Sequence, residues 1–203
     1  MTVKSVMISI RPKWCEKIVG GEKTIEVRKT RPKLETPFTV YIYCTSGRPD
    51  LNIPISPERL MRDYLDTGSM KSLNCQLGNG KVIGRFVCDK IYEVAPRWKE
   101  YIVLGEEKGT TNEIARNSCL SFDDMKAYLG KKNGYGWHIS DLEIYDRPME
   151  LSRFERYYRC DGCDGAFGGE CNECYSEMKM QRPPQSWCYV RGIEEDNILG
   201  LKG

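Results

Sequence analysis

The sequence predicts a mixed α+β fold: a small β-barrel with short peripheral helices and a cysteine-rich insertion near its end. Three observations lead there. The predicted strands are uneven in length, and each is followed by a turn or one short helix rather than by a regular helical crossover. The chain has 203 residues, 40% of them hydrophobic, enough for one principal core and a small appended module. The sole compositional break is the glycine-, cysteine- and acid-rich stretch from Cys160 to Cys174.

Along the chain, KSVMISI alternates Val6, Ile8 and Ile10 on one face, the signature of a half-buried strand. PKWCEKIVGG then carries helix punctuation, with Pro12 in the first turn, an apolar stripe of Trp14, Cys15, Ile18 and Val19, and Gly20 placed to end it. TIEVRKT predicts a strand with Ile25 and Val27 on one face and Thr24, Glu26 and Arg28 on the other. PFTVYIYCT predicts a more buried strand, and SGRPDLNIP a polar loop. PERLMRDYLDTG predicts a helix from Pro57 to Gly68 with Leu60, Met61 and Tyr64 on one side.

GKVIGRFVCDKIYEVA reads as one long strand bent or bulged at Gly84. Ser121 begins a helix with the S-x-x-D form of a capping box, and Gly130 follows its end at Leu129. GYGWHISDLEIYDRPMEL is again β-rich, and WCYV supplies a closing strand. The expected organisation is a barrel from residues 1–154 and 183–203, interrupted by an insertion at 155–182. Internal repeats and low-complexity segments are absent.

No stretch approaches the ~20 apolar residues of a membrane span, and the first residues lack the apolar run of a signal peptide. The expectation is a cytoplasmic protein with no membrane partner. Net charge is only +2, so bulk electrostatics does not announce a polyanion binder. Its distribution says more: eight basic residues and three acidic ones lie between Arg11 and Lys33, making this segment the basic pole of the chain.

Six of the ten cysteines are scattered, several within apolar patterns where a thiol acts as a small hydrophobe. The other four, Cys160, Cys163, Cys171 and Cys174, form two C-x-x-C pairs. That spacing lets each tight turn aim two thiolates at one ion, and four thiolates close a tetrahedral site. Two disulfides, or reduced thiols on a loop, are the competing readings. Spacing and compartment favour a structural zinc ion, which would brace a segment too short to build its own core.

The residues Gly21-Glu22-Lys23-Thr24-Ile25-Glu26-Val27-Arg28 fit G-x-K-x-x-E-x-R. With the preceding ISIRPKWCEKIVGG and the later PFTVYIYCT and SWCYV, the chain resembles the ASCH domain family of the PUA-like superfamily of small β-barrels, in particular members from bacteria and their phages. The resemblance covers most of residues 1–148 and 182–191. It implies an RNA or nucleotide-like ligand in a cleft beside the motif, and some members act as nucleases or as amidohydrolases on acetylated cytidine. Carried onto this chain, the implication attaches to Lys23, Glu26 and Arg28, and beyond the next strand to Thr45 and Ser46. Amidohydrolase members keep the lysine but carry a threonine nucleophile where this chain has Glu26, and Thr24 is not its equivalent. Binding is therefore expected ahead of catalysis.

Physical chemistry gives the same residues work. Lys23 offers a point charge for phosphate and Arg28 a planar fork, with Lys29 beside them. Glu26 can orient Arg28 or accept from a base amino group. A hydrolase acting on RNA or a modified nucleoside would use Lys23 and Glu26 as an acid/base pair. A protein-interaction module would use the insertion. The bland reading of Glu26 and Arg28 is a solvated surface pair worth little. His138, the only histidine, is a ligand contact if its strand lines the cleft and a surface or structural group otherwise. Tyr41, Tyr43, Trp137 and Trp187 offer stacking surfaces but sit in strand patterns that suit a core.

Overall fold

The computed structural model describes residues 4–68, 75–97, 100–103, 110–156 and 179–193, with side chains described for these residues outside 96–103 and 110–112. The elements run β1 (Lys4–Ile10), α1 (Pro12–Val19), β2 (Ile25–Arg28), β3 (Phe38–Cys44), β4 (Asn52–Pro54), α2 (Pro57–Thr67), β5 (Cys75–Leu77) and β6 (Val82–Cys88). They continue with β7 (Ile91–Arg97), β8 (Glu100–Val103), α3 (Thr110–Ser118), α4 (Phe122–Leu129), β9 (Gly134–His138), β10 (Ser140–Met149) and β11 (Trp187–Arg191). A 3-10 turn covers Leu151–Arg153.

The mixed α+β class is as expected. A closed barrel is not found among the described residues: the strands form sheets ordered β10-β6-β3-β1-β11, β2-β9-β7-β8 and β4-β5. The edges have other partners. The isolated bridge Arg156↔Val190, with the Arg191 N–H donating to the Glu155 carbonyl at 3.0 Å, gives β11 a short neighbour that is not β10. Just before β2, the Thr24 N–H donates to the Asn117 carbonyl of the helix at Thr110–Ser118 at 2.8 Å.

The chain divides into two compact units. The first comprises Met1–Lys13, Tyr41–Gly84 and Ile144–Gly203. Here β1 and β11 pair antiparallel from Lys4↔Arg191 to Ile8↔Trp187. A core of Met7, Tyr41, Tyr43, Val82, Tyr145, Met149, Phe154, Met180 and Val190 forms beneath them. Tyr41 meets Phe154 edge to face, and its hydroxyl accepts from the Ile193 N–H at 2.9 Å. Helix α2 is capped by the Ser56 hydroxyl, and Gly68 closes it in the left-handed conformation at φ 66°.

The apolar side of this helix is turned outward. Met61 and Leu65 are 59% and 73% exposed and Tyr64 is also exposed, whereas Arg59 is buried. The inward side is polar: Arg59 pairs with Asp63 at 2.8 Å, Arg147 reaches the same carboxylate at 3.4 Å, and Ser56 meets Asp146. An ion-pair cluster, not the apolar stripe, positions the helix.

The second unit comprises Trp14–Val40 and Arg85–Glu143. Strand β9 pairs with β2 on one side and β7 on the other. Ile25, Val27, Val94, Ile114, Met125 and Leu129 form its apolar cluster, which packs α3 and α4 against one face of the sheet. The stretch GKVIGRFVCDKIYEVA is two strands, not one bent strand, divided at Asp89–Lys90, where residues of low β propensity interrupt the run. The Ser121 capping box is present, with Asp124 reciprocating as its N3 residue.

Candidate nucleotide site around the buried Lys23–Glu26–Arg28 network

Helix α1 delivers the motif. The Gly20 N–H donates to the Glu16 carbonyl and the Gly21 N–H to that of Ile18, each at 2.9 Å, so the helix ends in a tight turn. Gly21 takes φ 74°, a conformation in which a β-carbon is strained. The Lys23 N–H then returns to the Lys17 carbonyl at 3.0 Å, which turns the Lys23 side chain inward.

Lys23 is only 2% exposed. Its ammonium donates to the Ile25 carbonyl at 2.9 Å and the Ser118 carbonyl at 2.7 Å, and it meets Glu26 Oε2 at 3.2 Å. These three interactions match the donor capacity of an ammonium group. The Ser118 carbonyl belongs to the last turn of α3, where helical carbonyls lack intrahelical partners and the macrodipole favours a cation. The Thr24 N–H satisfies a second one, the Asn117 carbonyl, at 2.8 Å. Lys23 and Thr24 thus cap α3.

Glu26 bridges the two cations: its Oε1 accepts from Arg28 Nη2 at 3.0 Å while Oε2 faces Lys23. Glu26 and Arg28 are 6% and 7% exposed. The solvated-pair reading therefore does not apply. Glu26 thus lies between two buried cations, Lys23 and Arg28. Such a buried network has low return in stability for its desolvation cost.

Register fixes what shares the surface with it. Glu26 lies opposite Trp137 and Arg28 opposite Tyr135, while Ile25 lies opposite His138 and Val27 opposite Gly136. Directly opposed residues point to the same face of a sheet. Glu26 and Arg28 therefore share a face with Trp137 and Tyr135, and Ile25 and Val27 share the helix-covered face with the His138 position. Trp137 is fully buried and packs edge to face on Phe38.

His138 ends β9, half-exposed, and its Nδ1 lies 2.6 Å from Asp89 Oδ1. The backbone supports the pair, with the His138 N–H donating to the Lys90 carbonyl at 2.9 Å. Burial pushes the Asp89 carboxyl up, but hydrogen bonds from His138, its own backbone and Ser140, together with imidazolium charge, outweigh that and hold it below the usual carboxylate range. The neighbouring Cys88 thiol is pushed up to about 12, first by burial and then by the Asp89 charge, which makes it an unreactive thiol. Asp89 was not among the sequence candidates. Its partner lies 49 residues away, and only its strand-breaking position hinted at a turn.

Among the other candidates, Lys29 is exposed beside Tyr128, with its ammonium 5.1 Å from the ring centroid. Thr45 and Ser46 belong to the first unit. There the Thr45 N–H donates to the Ile10 carbonyl at 2.9 Å, and Ser46 is exposed. Tyr41 and Tyr43 are core residues, and Trp187 is half-buried against Tyr189. Cys160, Cys163, Cys171 and Cys174 lie outside the described residues. Among the described residues no group of three or more His, Cys, Asp or Glu is placed to hold a metal ion.

The architecture is that of the ASCH proteins, as the motif and its flanks implied. The structure is similar to that of ASCH from Zymomonas mobilis, with 18% identity and a TM-score of 0.53 over 97% of this chain and 94% of that one. A tyrosine-to-phenylalanine variant of that protein matches with a TM-score of 0.54 over 98% of this chain and 99% of the other. A serine-to-alanine variant matches over 97% and 95%. The likeness is one of fold. No family model and no curated protein matches the sequence.

Proposed function

We propose that the protein binds RNA or a nucleotide-like ligand beside strand β2, with Arg28 and Glu26 as the recognition pair and Lys23 as the group that holds them. The carrying observation is the buried Lys23–Glu26–Arg28 network in a chain with the ASCH fold. The Arg28 guanidinium suits a phosphate or a base edge, and Glu26 suits a base amino group. Thr24 and Lys29 flank the network in sequence, and the ASCH resemblance supplies the ligand class.

Calorimetric titration of uridine 5′-monophosphate and short single-stranded RNAs at matched, modest salt tests this reading. Arg28→Lys retains the charge but loses the planar fork, so affinity is expected to drop about tenfold or more with thermal unfolding near wild type. Unchanged affinity in a folded variant removes the site from consideration.

The Asp89–His138 pair favours a second reading, a hydrolase acting on RNA or a modified nucleoside. A carboxylate on Nδ1 orients the imidazole and leaves Nε2 as the basic nitrogen. Turnover of RNA or nucleosides that His138→Gln abolishes, while Glu26→Gln retains it, would establish this activity. A panel without turnover excludes it for those substrates.

For the segment 155–182 we propose a structural zinc site at Cys160, Cys163, Cys171 and Cys174. The support is the spacing of the two C-x-x-C pairs. Purified without chelators, the protein is expected to carry about one zinc per chain, and Cys160→Ser to lower the melting temperature. A metal-free, equally stable preparation argues for thiols or disulfides instead.

A further inference from the structure

From the cations around the end of β2, we infer a second nucleic-acid contact: an exposed basic and aromatic strip that binds the phosphodiester backbone of single-stranded RNA. The ligand class rests on the proposed function, but the surface uses none of the buried network. Its members are the exposed Lys29, Arg31, Lys131, Lys132 and Tyr128, with the half-buried Tyr135 beside them.

Three elements bring them together. β2 is the edge strand of the four-stranded sheet and ends at Arg28, opposite Tyr135 of β9. Beyond it, Lys29 turns to Tyr128 of α4, whereas Arg31 lies with its guanidinium carbon 5.9 Å from the Tyr135 ring centroid. The turn from α4 to β9 contains Lys131 and Lys132 and is closed by the Lys132 N–H on the Leu129 carbonyl at 3.4 Å. That turn is held close to β2. A β-carbon placed on Gly134 would stand 3.1 Å from the Arg28 carbonyl oxygen and 2.6 Å from Leu129.

The four cations are exposed, and none has an ion pair among the described residues. Glu93 lies opposite Tyr135 by register, and it accepts from Asn133 at 3.2 Å. Asp123 and Asp124 stand at the opposite end of α4, where Asp124 is engaged in the capping box. Basic side chains interleaved with rings give both terms of single-strand recognition: charge tracking the backbone and faces on which bases stack. An acidic peptide would use the charges but not the rings.

The test is fluorescence anisotropy of a labelled oligouridylate of about ten nucleotides between about 50 and 200 mM salt. Wild type is compared with Lys131→Ala/Lys132→Ala, Tyr128→Ala and Tyr128→Phe. If both lysines contact phosphate, the double variant is expected to reduce the slope of log affinity against log salt by about 1.4. Tyr128→Ala is expected to lose about five-fold or more in affinity, with Tyr128→Phe near wild type.

Uridine 5′-monophosphate titration runs in parallel. Patch-dependent strand binding with mononucleotide binding retained supports this strip and the Arg28 site together. Patch-dependent strand binding without mononucleotide binding supports the strip and removes the Arg28 site. An unchanged salt slope overturns the strip whatever the mononucleotide does. Capture of polyglutamate in place of RNA, with the same lysine dependence, also overturns it, and failure of the wild-type protein to bind any RNA overturns both.

Discussion

The Lys23 ammonium and the Glu26 carboxylate meet at 3.2 Å with both side chains buried. Breaking such a pair costs more than the pair contributes, because the survivor is left charged and desolvated. Glu26→Ala leaves Lys23 and Arg28 as two buried cations with their shared carboxylate gone, and is expected to lower unfolding stability by about 3–5 kcal/mol. Adding Lys23→Met should recover part of this loss. Urea denaturation of the two single variants and the double measures the coupling; additive losses would show that the pair does not act as a unit.

Gly134 supports a second stability prediction. Its absent β-carbon is the space that Leu129 fills, with contacts of 2.6 and 2.8 Å to the two methyl groups that Gly134→Ala would force apart. Leu129 belongs to the apolar cluster under β2, so relief must come from the core itself. A loss of about 1–3 kcal/mol is expected by thermal or chemical denaturation. Gly21→Ala, where space is open but φ is 74°, should cost about 1 kcal/mol through backbone strain alone.

The sequence made β1, α1, β2, β3 and α4 legible because their cues are local: alternation, a proline or serine at the start, a glycine at the end. Lys23, Glu26 and Arg28 were legible as a motif, and Ile25 and Val27 as its inward face. Their burial was not. For Lys23 it depends on α3, whose sequence TTNEIARNS has only Ile114 and Ala115 as apolar residues, yet whose terminal carbonyls receive Lys23 and Thr24. Periodicity likewise left open which side of α2 faces inward, and ion pairs from Asp63 to Arg59 and Arg147 make it the polar one. Nonlocal electrostatics decided both cases.

Cysteine reactivity should divide along the same lines. Among the described residues, Cys15, Cys44, Cys88 and Cys188 are buried and Cys75 and Cys119 are partly exposed. Burial raises the Cys88 and Cys188 thiols to about 12 and 11, so little thiolate forms at either near neutral pH. Brief iodoacetamide treatment of the native protein, read by peptide mass spectrometry, is expected to label Cys75 and Cys119 while sparing the other four. Prompt labelling of Cys88 would show that its strand opens readily or is packed differently.

The Asp89–His138 contact predicts an acid-side dependence of stability with a definite sign. The native Asp89 carboxyl is held below its unfolded value of about 3.9, so the unfolded chain binds a proton more readily at this residue. Its contribution is therefore fully present above about pH 4 and is lost as pH falls through the lower native value. Asp89→Asn removes the titrating group while leaving an acceptor for the imidazole. Relative to wild type, the variant is expected to be less stable at pH 5 and to converge with it on acidification toward pH 2, measured by urea midpoints at each pH. His138→Gln should flatten the same acid-side slope, since the hydrogen bond that helps depress the carboxyl is gone. A constant gap between wild type and Asp89→Asn across that range would show that the carboxylate gains nothing from its histidine, and would leave the imidazole without the partner that orients it for proton transfer.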